Sequence, residues 1–184
     1  MTRLSSMSPA ALRAVFSPES DADLIILLTI YNPQNHSQVL YRIADGYVED
    51  PTDPTKALRL GDPTAEQVVY GVVSRTHEYT FLPVEITLPN EDDSQSPRCS
   101  VTFHDVSRFL IPFVRTQLTG PAPVLLELVL SSQPDTVEAS FSGFMLTSVT
   151  YNATTVSGDL TTVNYDREPF PQHTFSPLYF PGLF

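Results

Sequence analysis

His104 stands immediately before Asp105, and a histidine beside a carboxylate is the smallest arrangement that could do general acid–base work. The pair falls where a strand pattern gives way to a helical one. Neighbouring strand residues point to opposite faces and Asp favours helix starts, so the pair reads as a strand-end histidine beside a capping aspartate. The other histidines, His36, His77 and His173, lack the i, i+4 partner on a helix that a zinc site of the protease kind requires. Glu91-Asp92-Asp93 offers oxygens to a hard cation but lacks the alternating spacing of a calcium loop, and reads as a solvated loop tip. Cys99, in phase with Val101 and Phe103, reads as a small core hydrophobe. As the single cysteine it also excludes an internal disulfide or a cysteine-held cluster made by this chain alone. No nucleophile elbow, phosphate-cradling glycine loop or dinucleotide fingerprint occurs. The tripeptides at 35–37 and 152–154 match the glycosylation pattern but read as turns. These residues predict no enzyme, no catalytic residue, no metal and no cofactor.

The elements that would position these side chains are mostly strands. Ser8-Pro9 opens a short helix with Leu12, Val15 and Phe16 at helical spacing. Strands are expected over Asp23–Tyr31, Val39–Ile43, Val68–Val73, Tyr79–Leu88, Cys99–Phe103, Val124–Leu130, Thr136–Thr150 and Thr154–Val163. Asp45-Gly46 signals a hairpin between Val39–Ile43 and Tyr47-Val48, and Glu49–Pro63 reads as an acidic, proline-punctuated loop. Pro83 marks an edge, a bulge or the true start of its strand. From Asp105 on, Val106, Phe109, Leu110, Phe113 and Val114 fall at i, i+3, i+4, i+7 and i+8, which predicts one amphipathic helix that Pro112 bends or shortens. The expected fold is mainly β: an antiparallel sandwich or barrel of about eight strands with a short N-terminal helix and one inserted amphipathic helix.

Composition narrows the partners. The chain has 184 residues with 10 Lys plus Arg against 21 Asp plus Glu, a formal charge of -11 that repels nucleic acid. Charged residues are only 17%, so neutral polar groups or partner contacts must cover much of the surface. No apolar run is long enough for a bilayer, and a soluble product of the cytoplasm is expected with no membrane partner. The organisation read is an arm and short helix over 1–20, one β-rich domain over 21–167, and an extended arm over 168–184. That last arm holds Phe170, Phe175, Leu178, Tyr179, Phe180 and Phe184 between Pro171, Pro177 and Pro181, a composition that cannot form a helix and must be covered. These six aromatic and aliphatic residues are the expected partner interface, in cis or in trans.

Several segments together resemble a known family. They are Leu4–Leu12, Phe81-Leu-Pro-Val-Glu-Ile-Thr-Leu-Pro89, Pro121–Leu130, Pro134–Glu138 leading to Phe144, Tyr151–Gly158, Glu168–Pro171 and Phe180-Pro-Gly-Leu-Phe184. The chain is similar over nearly its whole length to a phage protein family catalogued as domain of unknown function 1833, whose members are encoded among the tail genes of long-tailed phages. The resemblance implies a structural protein of the virion tail tip or baseplate, made in the host bacterial cytoplasm, acting as a hub or adaptor between the tail tube and the central receptor-binding hub. It implies neighbouring tail-tip, distal tail and central hub proteins as partners. A ring of the chain's own copies, trimer or hexamer, suits a tail axis. The other reading is a carbohydrate- or receptor-binding β module of the virion tip.

Overall fold

A computed structural model describes residues 7–16, 23–50, 53–61, 69–87, 98–105, 108, 110–112, 114–115 and 120–162. They form one helix, α1 (Pro9–Phe16), and twelve strands: β1 (Leu24–Tyr31), β2 (Val39–Ala44), β3 (Glu49–Asp50), β4 (Asp53–Ala57), β5 (Arg59–Leu60), β6 (Val69–Ser74), β7 (His77–Phe81), β8 (Val84–Thr87), β9 (Arg98–His104), β10 (Ala122–Leu130), β11 (Gln133–Tyr151) and β12 (Thr155–Thr162). The expected mainly β class holds, with more strands than expected because the supposed loop 49–63 contains β3, β4 and β5 and the expected strand Tyr79–Leu88 is split at Pro83 into β7 and β8.

Ten strands join one sheet in the order β5-β6-β7-β2-β1-β10-β11-β12-β9-β8, and β3 and β4 pair separately. Pairing is antiparallel except between β2 and β7. The ladder does not close, which sets aside the barrel. The sheet instead curls over its larger apolar cluster, because β7 and β8 are consecutive in the chain yet lie far apart in strand order. At the corner between them the Leu82 N–H donates to the Ala44 carbonyl at 2.9 Å, and the Pro83 carbonyl accepts the His104 N–H at 2.9 Å. Pro83 sits where the chain changes neighbours, so its missing donor costs no ladder bond.

β1 is the middle of the structure. Its run of Leu and Ile is buried on both faces, which is why the sequence there shows no alternation. Leu28 and Ile30 face a large cluster with Ile43, Cys99, Val101, Phe103, Leu110, Val124, Leu126, Phe144, Leu146, Val156 and Leu160. Ile25 and Leu27 face a smaller one with Ala44, Val72, Tyr79 and Val129. β11 is a single strand of 19 residues that serves β10 first and β12 later. Register shifts at Gly143 (φ 87°) and Ser148 (φ 53°) bend it.

One expectation needs correction. Asp45-Gly46 is not a hairpin turn: β2 has β1 on one side and the later strand β7 on the other, so the residues directly after Gly46 find no free edge on it. Asp45 extends the β1–β2 contact instead, its N–H donating to the Ile26 carbonyl at 3.1 Å and its Oδ1 accepting the Ile26 N–H at 2.7 Å. Val15 and Phe16 of α1 are exposed, the latter at 71%, and Ala11 is the residue that α1 buries. The inserted helix is represented among the described residues by a Val114 N–H to Leu110 C=O bond of 3.1 Å, with Pro112 exposed nearby. Val106, Phe109 and Phe113 lie outside the described residues, as do Glu91-Asp92-Asp93 and His173.

Candidate functional site

The hairpin from β6 to β7 turns through only two residues, Arg75 (φ 49°) and Thr76 (φ 70°). Both lie in the left-handed region, which a tight hairpin needs to match strand twist but which neither residue type favours. Bonds from all sides hold this turn. The Arg75 N–H donates to Asp135 Oδ1 at 2.5 Å, and Ser74 Oγ donates to the Pro134 carbonyl at 2.7 Å. The Arg75 guanidinium meets the Glu127 carboxylate with two parallel bonds of 3.1 and 2.5 Å, the bidentate geometry that gives Arg–carboxylate pairs their strength. Glu127 interrupts the apolar strand β10 and is only 6% exposed, and Arg75 supplies the donors such a buried carboxyl group needs. Hydrogen bonding to Glu127 in turn raises the Arg75 pKa above its already high value.

The hairpin thus folds over the second face of the sheet. Cross-strand register sets Arg42, Thr29 and Leu125 side by side there on β2, β1 and β10. Thr29 Oγ1 lies 3.4 Å from the Tyr79 hydroxyl. Between hairpin and sheet lies a cavity of about 230 Å³ lined by Thr29, Tyr31, Val39, Arg42, Arg75, His77, Tyr79, Leu125 and Glu127.

A second, larger cleft of about 610 Å³ opens at the other end of β1. Asp23, Asp45 and Glu49 line it together with Ser131, Ser132, Tyr47 and Phe81. Tyr47, 52% exposed, meets Phe81 edge to face at 5.5 Å between ring centroids. Burial pushes the Asp45 carboxyl pKa up, with the backbone bond from Ile26 opposing that rise in part.

The remaining polar groups tie chain segments together. Ser8 caps α1 as its sequence predicts, with the Ala11 N–H donating to Ser8 Oγ at 3.2 Å. Glu138, only 7% exposed, accepts both the Ser8 N–H and the Ser8 hydroxyl at 2.7 Å, fastening α1 to β11. Asp105 is buried and its Oδ2 accepts the Leu110 N–H at 2.6 Å, a bond to the fifth residue on rather than to the second or third as in the expected helix cap. His104 does not pair with Asp105. Its Nε2 lies 3.1 Å from Glu85 Oε1 across the β8–β9 edge, in an exposed pair. Cys99 is buried, and desolvation raises its thiol pKa, which disfavours the thiolate.

Of the expected partner interface, Phe170, Phe175, Leu178, Tyr179, Phe180 and Phe184 lie outside the described residues. Sequence reasoning missed the Arg75–Glu127 pair altogether. A charged residue in the middle of the apolar run Val124–Leu130 was the available signal, since such a charge must find a partner when the strand is buried. Among the described residues no three His, Cys, Asp or Glu side chains converge as metal ligands, and no helix is long and apolar enough to cross a membrane. No known protein family matches the sequence, and no curated protein does.

Proposed function

We propose that this protein is a structural component of a phage tail tip or baseplate, a hub or adaptor between the tail tube and the central receptor-binding hub, working as a ring of its own copies. The observation that supports this reading best is the use of its buried polar groups. Thr29, Ser74, Asp105, Glu127 and Glu138 each bond to a side chain or backbone group from elsewhere in the chain. Polar groups used this way stiffen a scaffold and pin its loops, whereas a reactive site keeps some of them facing a substrate. The acidic, sparsely charged composition and the Pro-aromatic segment 168–184 support the same reading, as does the family resemblance.

Mass measurement of the purified protein together with its neighbours in the tail operon tests the ring: three or six copies are expected. Deleting residues 170–184 is expected to leave a folded β core that no longer enters tails. Truncated protein found in infectious particles would overturn the assembly role.

The cleft lined by Tyr47 and Phe81 favours a second reading, a carbohydrate- or receptor-binding module of the tip. An exposed ring beside carboxylate and hydroxyl groups is the usual lining of a sugar site. Saturable glycan binding that Tyr47→Ala abolishes would favour that reading over the scaffold.

A further inference from the structure

Arg42 is the residue that the scaffold leaves unused. It projects from the central strand β2, is half-buried, and lines the cavity beneath the β6–β7 hairpin. Acidic residues outnumber basic ones 21 to 10 in this chain, so a partner for an arginine is easy to provide. Among the described residues no carboxylate pairs with it: the nearby Glu127 is already held at both oxygens by Arg75. A half-buried guanidinium with five donors and no acceptor is costly to keep unless something occupies it at least part of the time.

We propose that this cavity is a binding site for a single carboxylate group, gripped by the Arg42 guanidinium. The surroundings select the ligand. Thr29 and Tyr79 add hydroxyls on the floor, and His77 adds a ring nitrogen at the rim. Leu125, Val39 and Tyr31 supply apolar walls for the carbon that bears the carboxylate. The Arg75–Glu127 pair is neutral as a unit, so the cavity carries one unmatched positive charge and suits one negative charge. A dianionic phosphate would put its second charge near Glu127 and bind less well. About 230 Å³ is small for a whole metabolite and fits one short acid group, either a free carboxylate or an acidic side chain offered by a second copy of the chain. Arg75 at the hairpin tip, fastened to β10 through Glu127 and to β11 through Asp135, holds the roof of the cavity in place. This inference does not depend on the tail reading.

Side-chain NMR of the full chain, labelled at arginine Nε, tests it with sodium acetate as the probe at constant ionic strength. A saturable shift of the Arg42 Nε–H signal and of the Thr29 and Tyr79 amides is expected, with inorganic phosphate weaker. Arg42→Gln is expected to lower acetate affinity about tenfold or more, and Arg42→Lys to lower it less, because lysine keeps the charge without the fork. The lysine variant gives the same readout if the glutamine variant folds poorly. Sedimentation at rising protein concentration separates the sources. Self-association that acetate competes away and Arg42→Gln removes assigns the carboxylate to a second copy; a monomer that still binds acetate assigns it to a free ligand. No saturable response to acetate, or a response that Arg42→Gln leaves intact, overturns the proposal.

Discussion

The two faces of β1 are buried by different means. On one side Leu28 and Ile30 enter a large cluster drawn from β2, β9, β10, β11 and β12, closed by the curl of the sheet. On the other, Ile25 and Leu27 have a thin layer of Ala44, Val72, Tyr79 and Val129, and the hairpin with its Arg75–Glu127 pair completes the cover. The first face is held by area removed from water, which involves no titrating group. The second is held by directed bonds between charged groups, which are specific in geometry but depend on every partner being present. The first face therefore tolerates the loss of any one polar group, while the second depends on each of its charged partners.

Substitutions can break or sharpen this contrast. The largest effect is expected at Phe103, only 2% exposed in the large cluster, where Phe103→Ala should cost about 3–5 kcal/mol in urea unfolding through lost transfer energy and a cavity. A loss below about 1 kcal/mol would show that the large face is not the main source of stability. Arg75→Ala leaves a buried carboxylate without its cation and should cost about 2–3 kcal/mol, discounted from a fully buried pair because Arg75 itself is 41% exposed. Adding Glu127→Leu to Arg75→Ala should restore most of that loss; a double variant as unstable as the single one would mean that the arginine acts through packing. Ser8→Ala removes a helix cap and a hydroxyl donor to Glu138, with an expected cost of about 1–2 kcal/mol and faster proteolysis near α1.

The smallest effect concerns pH. Asp45 has its folded-state pKa raised above the ordinary 3.8 by burial, so the folded protein holds the proton more tightly than the unfolded chain. Its contribution to stability therefore falls as pH rises from about that ordinary value through the raised one, the reverse of a salt-bridged carboxylate. Asp45→Asn should equal the parent at pH 3.5 and be more stable at pH 7 by up to about 1 kcal/mol, since the amide oxygen can still accept the Ile26 N–H. A parent that outlasts the variant at neutral pH would indicate that the charge is favourable there.

Much of the fold was legible because each strand of the large face carries its own record. Cys99, Val101 and Phe103 alternate with polar residues and are buried, and the Ser8-Pro9 cap is where its sequence puts it. What local pattern did not carry was competition between strands. Asp45-Gly46 has the residues of a hairpin turn, but the open edge it needed on β2 is taken by β7, some forty residues later. The small face was legible least, because its components are single charges on separate strands. Arg42, Arg75 and Glu127 come together only through the register of β2, β1 and β10 and the fold-over of β6–β7. Val15 and Phe16 mark the converse case: their helical spacing predicts α1, which forms, but does not say whether the domain covers them.

The β1–β10 pairing also has a consequence in time. Leu24 pairs with Leu130 and Ile30 with Val124, so the most apolar strand of the molecule is made about a hundred residues before the strand that covers one of its two edges. At synthesis rates of about 5–20 residues per second that interval is about 5–20 s, during which Leu24–Ile30 has β2 on one side and an open ladder on the other. An unpaired apolar edge of this kind invites pairing with another nascent chain. Yield of soluble protein should therefore depend on holdase chaperones and on slow, cool expression more than on the stability of the finished fold.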